Sequence, residues 1–253
     1  MKKLALILAM AAALLFSQVA LADEFLGAVA SNFEAPAKLI AAEFEKDTGH
    51  KAELSFGSTG SFAAQIRNES PIALLLAADD TTPKALEDEG LTVPGSRFTY
   101  VQGALVLWSA TEGYVDDQGQ VLKTGDYKHL AVADPKMAPY GVAAYELLKA
   151  WDLLEKLEKE ERLVTGQNIG QTVQFAQTGN AELGLVAQSQ VWKDGKFNSG
   201  SGWIVTPDLY APILQDAVIL KPGADNAAVK AFIDYLKTDK AKEIILSFGY
   251  KLQ

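Results

Sequence analysis

The chain has 253 residues, 49% of them hydrophobic, with 32 acidic against 23 basic side chains, two histidines and no cysteine. A net charge of −9 with no basic stripe argues against nucleic acid or an anionic membrane surface as a partner. The lack of cysteine excludes a disulfide framework, a thiolate nucleophile and a thiolate-held metal, and a chain of this length buries a large core without such staples.

Met1-Lys2-Lys3 is basic, Leu4 to Phe16 is apolar but too short to span a bilayer, and Ala20-Leu21-Ala22 has small residues at the positions a signal peptidase reads. This predicts a secretory signal over residues 1–22, cut after Ala22, and an exported protein, which the resemblance given below implies is periplasmic. Losing Lys2 and Lys3 leaves 21 basic residues against 32 acidic ones, a net −11.

Short apolar runs then alternate with helix-period runs, the pattern of an α/β architecture. Phe25 to Ala30 reads as a strand, and Ala37, Ile40, Ala41 and Phe44 mark a helix that Pro36 starts and Gly49 stops. A strand over Lys51 to Phe56 runs into Gly57-Ser58-Thr59-Gly60-Ser61 and a short helix through Ile66. Ile72 to Ala77 is the next strand, and Asp79 to Pro83 opens a helix toward Leu86.

Ala104 to Trp108 begins a second lobe, followed by a strand at Leu130 to Ala133 and a helix with Ala144, Leu147, Leu148 and Trp151 on one face. The Glu- and Lys-rich stretch Leu154 to Arg162 reads as a solvated helix surface. Ile169 to Gln177 is helical, Leu183 to Ala187 a buried strand and Asp194 to Gly202 a turn. A late strand over Ile213 to Leu220 precedes one long amphipathic helix within Ala227 to Phe248, with Phe232, Leu236 and Ile244 inward.

No linker separates two sequential domains, so the C-terminal part is expected to return and complete the first lobe. Lobe 1 is then residues 23–101 plus 213–253 and lobe 2 residues 102–212, with Tyr100 to Gly103 and Tyr210 to Ile213 as two crossing segments. Each lobe is a sheet flanked by helices.

Four loops share one chemistry. Ala30-Ser31-Asn32, Gly57 to Ser61, Ala138-Pro139-Tyr140-Gly141 and Gln167-Asn168-Ile169-Gly170 each precede a helical stretch, and none carries Lys, Arg, His or Cys. Helix starts leave backbone N–H groups unpaired and partly positive, so several converging on one point grip an anion without a cationic side chain. Ser31, Ser58 and Thr59 add hydroxyl donors and Asn32 a side-chain amide. A cage made only of donors favours an oxyanion that keeps no proton, such as molybdate or sulfate, over phosphate, which needs an acceptor.

Ala28-Val29-Ala30-Ser31-Asn32-Phe33, Ser55-Phe56-Gly57-Ser58-Thr59-Gly60, Asp134-Pro135 through Tyr140-Gly141 and Gly166-Gln167-Asn168-Ile169 resemble, in order and near-spacing, the ligand loops of periplasmic molybdate-binding proteins. The likeness extends through Leu209-Tyr210-Ala211-Pro212-Ile213 to the last helix. It implies the two-lobed periplasmic-binding-protein fold, type II, and capture of molybdate, and of tungstate, for the membrane permease of an ABC importer. It also implies Ser31, Asn32, Ser58 and Thr59 as donors from one lobe, and Tyr140 and Ile169 as backbone donors from the other. No cofactor, no free metal cation and a monomer are expected. Some members carry a tyrosine hydroxyl where this chain has Ala187, which leaves one donor to be absent or replaced.

Two rival classes remain open at this stage. Another oxyanion, sulfate or phosphate, suits the same loops, since the sequence does not give the cage radius. An exported hydrolase would use Gly57 to Ser61 as a nucleophile loop, but serine chemistry needs an activating base and only His50 and His129 exist. The acidic pairs Asp79-Asp80 and Asp116-Asp117 lack an ion-binding spacing and read as solvated turns.

Overall fold

A computed structural model describes residues 22–253, so the segment read as a secretory signal lies, up to Leu21, outside the described residues. In chain order the first part comprises β1 (Glu24–Ala30), α1 (Glu34–Thr48), β2 (Lys51–Gly57), α2 (Thr59–Arg67), β3 (Leu74–Leu76), α3 (Thr81–Asp88) and β4 (Phe98–Gly103). The middle part holds β5 (Leu105–Ser109), α4 (Gln120–Thr124), β6 (Leu130–Ala133), α5 (Pro139–Ala150), α6 (Leu154–Lys159), β7 (Leu163–Gly166), α7 (Ile169–Gln177) and β8 (Leu183–Ala187). It continues with α8 (Gln188–Val191), the hairpin of β9 (Trp192–Lys193) and β10 (Lys196–Phe197), and β11 (Ser201–Ile204). The chain ends with β12 (Ile213–Ile219), α9 (Ala227–Tyr235) and α10 (Asp239–Ser247).

Two five-stranded sheets result, ordered β2-β1-β3-β12-β4 and β11-β5-β8-β6-β7. The protein is thus a two-lobed α/β fold. β12 returns to the first sheet and lies antiparallel to both β3 and β4, with Ile213 opposite Gly103 at the point where the chain passes between sheets. Each sheet has its own apolar core. Phe25, Val29, Phe33, Ile40, Phe44 and Phe232 close-pack in the first, where Phe44 meets Phe232 edge-on at 5.1 Å. Leu105, Leu107, Leu130, Val132, Leu147 and Leu185 fill the second.

Strand register brings the predicted loops together. β1 runs parallel to β2 with Ala30 opposite Gly57, and parallel to β3 with Val29 opposite Leu76, so the turns that follow share one edge of the sheet. In the other sheet β6 runs parallel to β7 with Ala133 opposite Gly166, which places the Asp134 and Gln167 turns side by side. Open parallel sheets bind ligands at such carboxyl edges. The two edges face each other.

The structure corrects several element readings. The expected strand over Ile72 to Ala77 is a ladder only at Leu74–Leu76, although all six residues are buried. The expected single helix within Ala227 to Phe248 is α9 and α10, because Thr238 leaves helical geometry at ψ 156° and its hydroxyl caps α10 by accepting from Ala241 N–H. As a result Ile245, not Ile244, is the fully buried isoleucine of the last turns. Within the expected Asp194 to Gly202 turn lie β10 and the start of β11, which pairs antiparallel with β5. β7 also went unread: it is short and only its last residue, Gly166, is buried, so no apolar run marks it.

Local signals work where backbone geometry is demanding. Gly49 ends α1 in the left-handed region at φ 75°, and its N–H donates to Glu45 O at 2.8 Å. Among the described residues no helix is long and apolar enough to cross a membrane.

Candidate functional site

Where the two sheet edges meet, Ala30, Ser31, Asn32, Gly57, Ser58, Thr59, Ala78, Ala138, Pro139, Tyr140 and Ile169 enclose a cavity. Its empty space is about 180 Å³ even when counted out to the mouth. Pockets for drug-sized organic ligands run to roughly 300–1,000 Å³, so this one suits a small inorganic ion. All six residues predicted from sequence line it: Ser31, Asn32, Ser58 and Thr59 from one lobe, Tyr140 and Ile169 from the other. No Lys, Arg, His, Asp or Glu side chain is among the lining residues.

Each donor is set by local structure. Ser58 caps α2, its hydroxyl oxygen accepting from Ser61 N–H at 3.3 Å, which leaves its own hydrogen to give. Thr59 is 1% exposed; its Oγ1 accepts from Ala78 N–H at 2.9 Å, and its hydrogen is likewise left over. Asn168 caps α7 by accepting from Gln171 N–H at 2.9 Å, so the Ile169 N–H that follows has no carbonyl to bond within the helix. Tyr140 stands second in α5 after Pro139, and its N–H is equally unpaired within the helix.

Gly141 holds that terminus against the sheet. A Cβ there would lie 2.4 Å from Ala133 O, so α5 approaches β6 only because position 141 has no side chain.

Three of the predicted roles need correction or refinement. The side-chain amide of Asn32 was expected to donate to the ligand, yet Nδ2 donates to Gln215 Oε1 and to the Tyr250 hydroxyl, both at 2.8 Å. In this arrangement Asn32 has its main-chain N–H, at the second position of the short turn after β1, to offer. Ser31 does more than donate: Gly170 N–H of the other lobe donates to Ser31 Oγ at 3.2 Å, and the Ser31 hydroxyl donates to Asn168 Oδ1 at 3.3 Å. Ala187, where a donor was missing, is fully buried and lies outside the cavity lining. Its N–H donates to Gln190 Oε1 at 3.1 Å, while Gln190 Nε2 donates to Ile169 O at 3.0 Å, so one side chain ties the two turns together.

Sequence reasoning missed the layer beneath the cavity. Gln215, Tyr250, Ser189 and Tyr100 join Asn32 and Tyr140 in a buried hydrogen-bond network, with partners up to 218 positions apart. Such separations leave no mark in local patterning. Burial pushes the Tyr140, Tyr100 and Tyr250 hydroxyls well above the ordinary tyrosine range, so they stay neutral.

A wider groove of about 870 Å³ adjoins the cavity and is lined from both lobes, by Asp79, Asp80, Lys136, Met137, Glu146 and Pro212 among others. Burial raises the Asp79 carboxyl, against hydrogen bonds from Thr82 N–H and Oγ1 that oppose the shift. Between groove and cavity the lobes touch: Gly60 N–H donates to Met137 O at 3.0 Å.

The two histidines stand apart from the site. His50 Nδ1 accepts from Asp23 N–H near the start of β1, His129 sits beside Glu182 before β6, and neither lines the cavity.

Residues 26–251 match the family described as bacterial extracellular solute-binding protein. The chain is 58% identical over 248 residues to the molybdate-binding protein ModA of Azotobacter vinelandii, covering 98% of this chain and 97% of that one. It is 52% identical over 232 residues to ModA of Rhodobacter capsulatus, covering 91% and 89% of the two chains. Among solved structures, the periplasmic molybdate-binding protein of Azotobacter vinelandii superposes with a TM-score of 0.88 at 40% identity, covering 90% of this chain and 99% of its own. With this coverage and two facing donor edges on the same fold, the chain belongs to the bacterial extracellular solute-binding proteins, in the family of the molybdate-binding proteins.

Proposed function

We propose that this protein captures molybdate in the periplasm with neutral hydrogen-bond donors and presents it to the membrane permease of an ABC importer. The observation that carries this reading is a single small cavity lined from both lobes by hydroxyl and helix-start N–H donors and by no charged side chain. Hydrogen bonds to an ionised partner contribute about 1.5–3 kcal/mol each, so five to seven of them offset the desolvation of a dianion. Ser31, Asn32, Ser58, Thr59, Tyr140 and Ile169 are the proposed ligand residues. Tungstate, with the same charge and shape, is a second ligand of the same site.

The protein acts as a receptor and not as an enzyme, works as a monomer, and is exported with cleavage after Ala22. The moving bodies are residues 23–101 with 213–253 and residues 102–212, which close around the anion because each supplies donors. A ligand shifts such a balance only through contacts that differ between the open and closed forms. Competition calorimetry with molybdate, tungstate, sulfate and phosphate tests the whole reading. Molybdate and tungstate are expected to bind far more tightly than the other two, and a protein that ranks sulfate or phosphate first is a different receptor.

The Gly60–Met137 contact acts as a latch on the closed form. A Cβ at Gly60 would stand 3.1 Å from both Cα and O of Met137, whereas alanine otherwise suits the second position of a helix. Gly60→Ala is therefore expected to leave the melting temperature near wild type and to speed molybdate release about 5–10-fold, the equivalent of one lost hydrogen bond of about 1 kcal/mol. Stopped-flow fluorescence measures the rate; an unchanged rate removes the latch.

A cage of hydroxyls and backbone N–H groups holds no group that titrates near neutrality. Molybdate affinity is expected to stay within about twofold from about pH 6 to pH 9, and to fall only as pH rises beyond the ordinary tyrosine range of about 10. A sigmoidal dependence inside that window, measured by calorimetry, would reveal a charged participant.

A further inference from the structure

One buried acceptor in the cavity wall is unsatisfied. Asn32 is 1% exposed and lines the cavity, and its Oδ1 has no hydrogen-bond partner while its Nδ2 faces Gln215 Oε1 and the Tyr250 hydroxyl. A buried polar atom left unpaired costs about 1–3 kcal/mol. A second group is idle: the Tyr140 hydroxyl accepts from Gln215 Nε2 at 3.2 Å, and among the described residues no acceptor takes its hydrogen. Both ends meet at the same glutamine. Gln215 is fully buried on β12 and its Nε2, like the Tyr140 hydroxyl, is pressed against the crossing strand at Gly103, where a Cβ would meet them at 2.6 and 2.1 Å.

We infer that Asn32 and Gln215 form a coupled pair of amides that turn over together when a fully deprotonated oxyanion enters the cavity, and that Gln215 thereby sets which kind of anion is accepted. This rests on the oxyanion reading of the cavity. Turning each amide by half a revolution moves no heavy atom from its place and exchanges only nitrogen with oxygen. Gln215 Nε2 then donates to Asn32 Oδ1, the Tyr250 hydroxyl moves its one hydrogen to the same oxygen from Asn32 O, which lies 2.9 Å away and keeps the Ser189 hydroxyl at 2.7 Å, and the Tyr140 hydroxyl gives its idle hydrogen to Gln215 Oε1. The other Nε2 hydrogen faces the Tyr100 hydroxyl, which still donates to Ala77 O at 3.1 Å. Every hydrogen of the network then has an acceptor except those of Asn32 Nδ2, which takes the position of the orphan oxygen and is left to the anion.

The two arrangements suit different guests. With Oδ1 unpaired, Asn32 offers the cavity an acceptor, which serves an anion that keeps a proton, such as hydrogen phosphate. With Nδ2 in that place, it offers a donor, which serves molybdate. The pair spans both lobes through Tyr140, so closure and donor polarity are set by the same contacts.

Gln215→Glu separates the possibilities, because a carboxylate can only accept. Asn32 must then keep Nδ2 toward position 215 and Oδ1 unpaired. Calorimetry is expected to show molybdate weakened about 10–100-fold and the phosphate-to-molybdate preference shifted at least about tenfold toward phosphate. A buried carboxylate acting through plain repulsion weakens both dianions alike, so an unchanged ratio overturns the inference, as does unchanged molybdate binding. Neutron diffraction from deuterated wild-type crystals loaded with molybdate tests it without any substitution. Deuterium on the Asn32 atom facing away from Gln215 is the expected result, and deuterium pointing from Asn32 to Gln215 overturns it. Wild-type protein that fails to bind molybdate sinks the proposed function itself, whereas wild-type binding with an unshifted ratio in the variant sinks only the amide pair.

Discussion

Gly141→Ala is expected to abolish tight molybdate binding while leaving a folded, less stable protein. The added Cβ would sit 2.4 Å from Ala133 O and 2.9 Å from both Ala133 C and Asp134 C, all main-chain atoms that cannot swing aside. α5 must therefore lift off β6, and overpacking of this kind costs about 1–3 kcal/mol. The same shift carries the unpaired N–H of Tyr140 away from the cavity. Losing one or two hydrogen bonds to a dianion, at about 1.5–3 kcal/mol each, lowers affinity by at least about 10–100-fold. Gly179→Ala serves as the control, since Gly179 has φ 76° but nothing within 4 Å of an added Cβ. It is expected to lower the melting temperature modestly with no change in affinity. Wild-type affinity in Gly141→Ala would mean that Tyr140 N–H does not touch the ligand.

Thr59→Ala is the second large effect, and it acts on two quantities at once. The hydroxyl oxygen accepts from Ala78 N–H in a fully buried setting, so its loss strands that N–H and destabilises the ligand-free protein by about 1–3 kcal/mol. The hydroxyl hydrogen, which has no protein acceptor among the described residues, is the part available to the ligand. Removing it is expected to weaken molybdate binding about 10–100-fold. Thr59→Ser keeps both halves of the hydroxyl and is expected to bind within about threefold of wild type. Calorimetry and thermal melts on the pair separate the contributions. A Thr59→Ala protein that melts early but binds normally would make the hydroxyl purely structural.

Gly141 and Thr59 both sit in turns that the local sequence marks. Helix starts were legible because capping chemistry is local: Ser58 and Asn168 each bond a backbone N–H three residues on. The break between α9 and α10 carried the same signal in Thr238-Asp239, which the helical spacing of Phe232, Leu236 and Ile244 masked. β7 and β11 were not legible, since each is four residues long and only partly buried, so pairing with β6 and β5 and not an apolar run makes them strands. Gln190 bonds the Ala187 N–H only three residues back, but its reach to Ile169 O, 21 positions away, and the hold of Gln215 and Tyr250 on the Asn32 amide join distant parts of the chain.

By itself, then, the sequence determined the alternation of strands and helices, the four donor-bearing turns and the absence of any cationic or thiolate chemistry within them. These follow from short-range periodicity, from caps and from composition, each of which spans only a few residues. The tertiary structure alone decided that the four turns face one another, that Gly60 meets Met137, and that the amide of Asn32 is claimed by Gln215 and Tyr250. Those outcomes depend on strand register and on the return of β12 to the first sheet. Hydrogen bonds between residues 183 and 218 positions apart are chosen by the packed fold, because only there are both partners desolvated and forced to find each other.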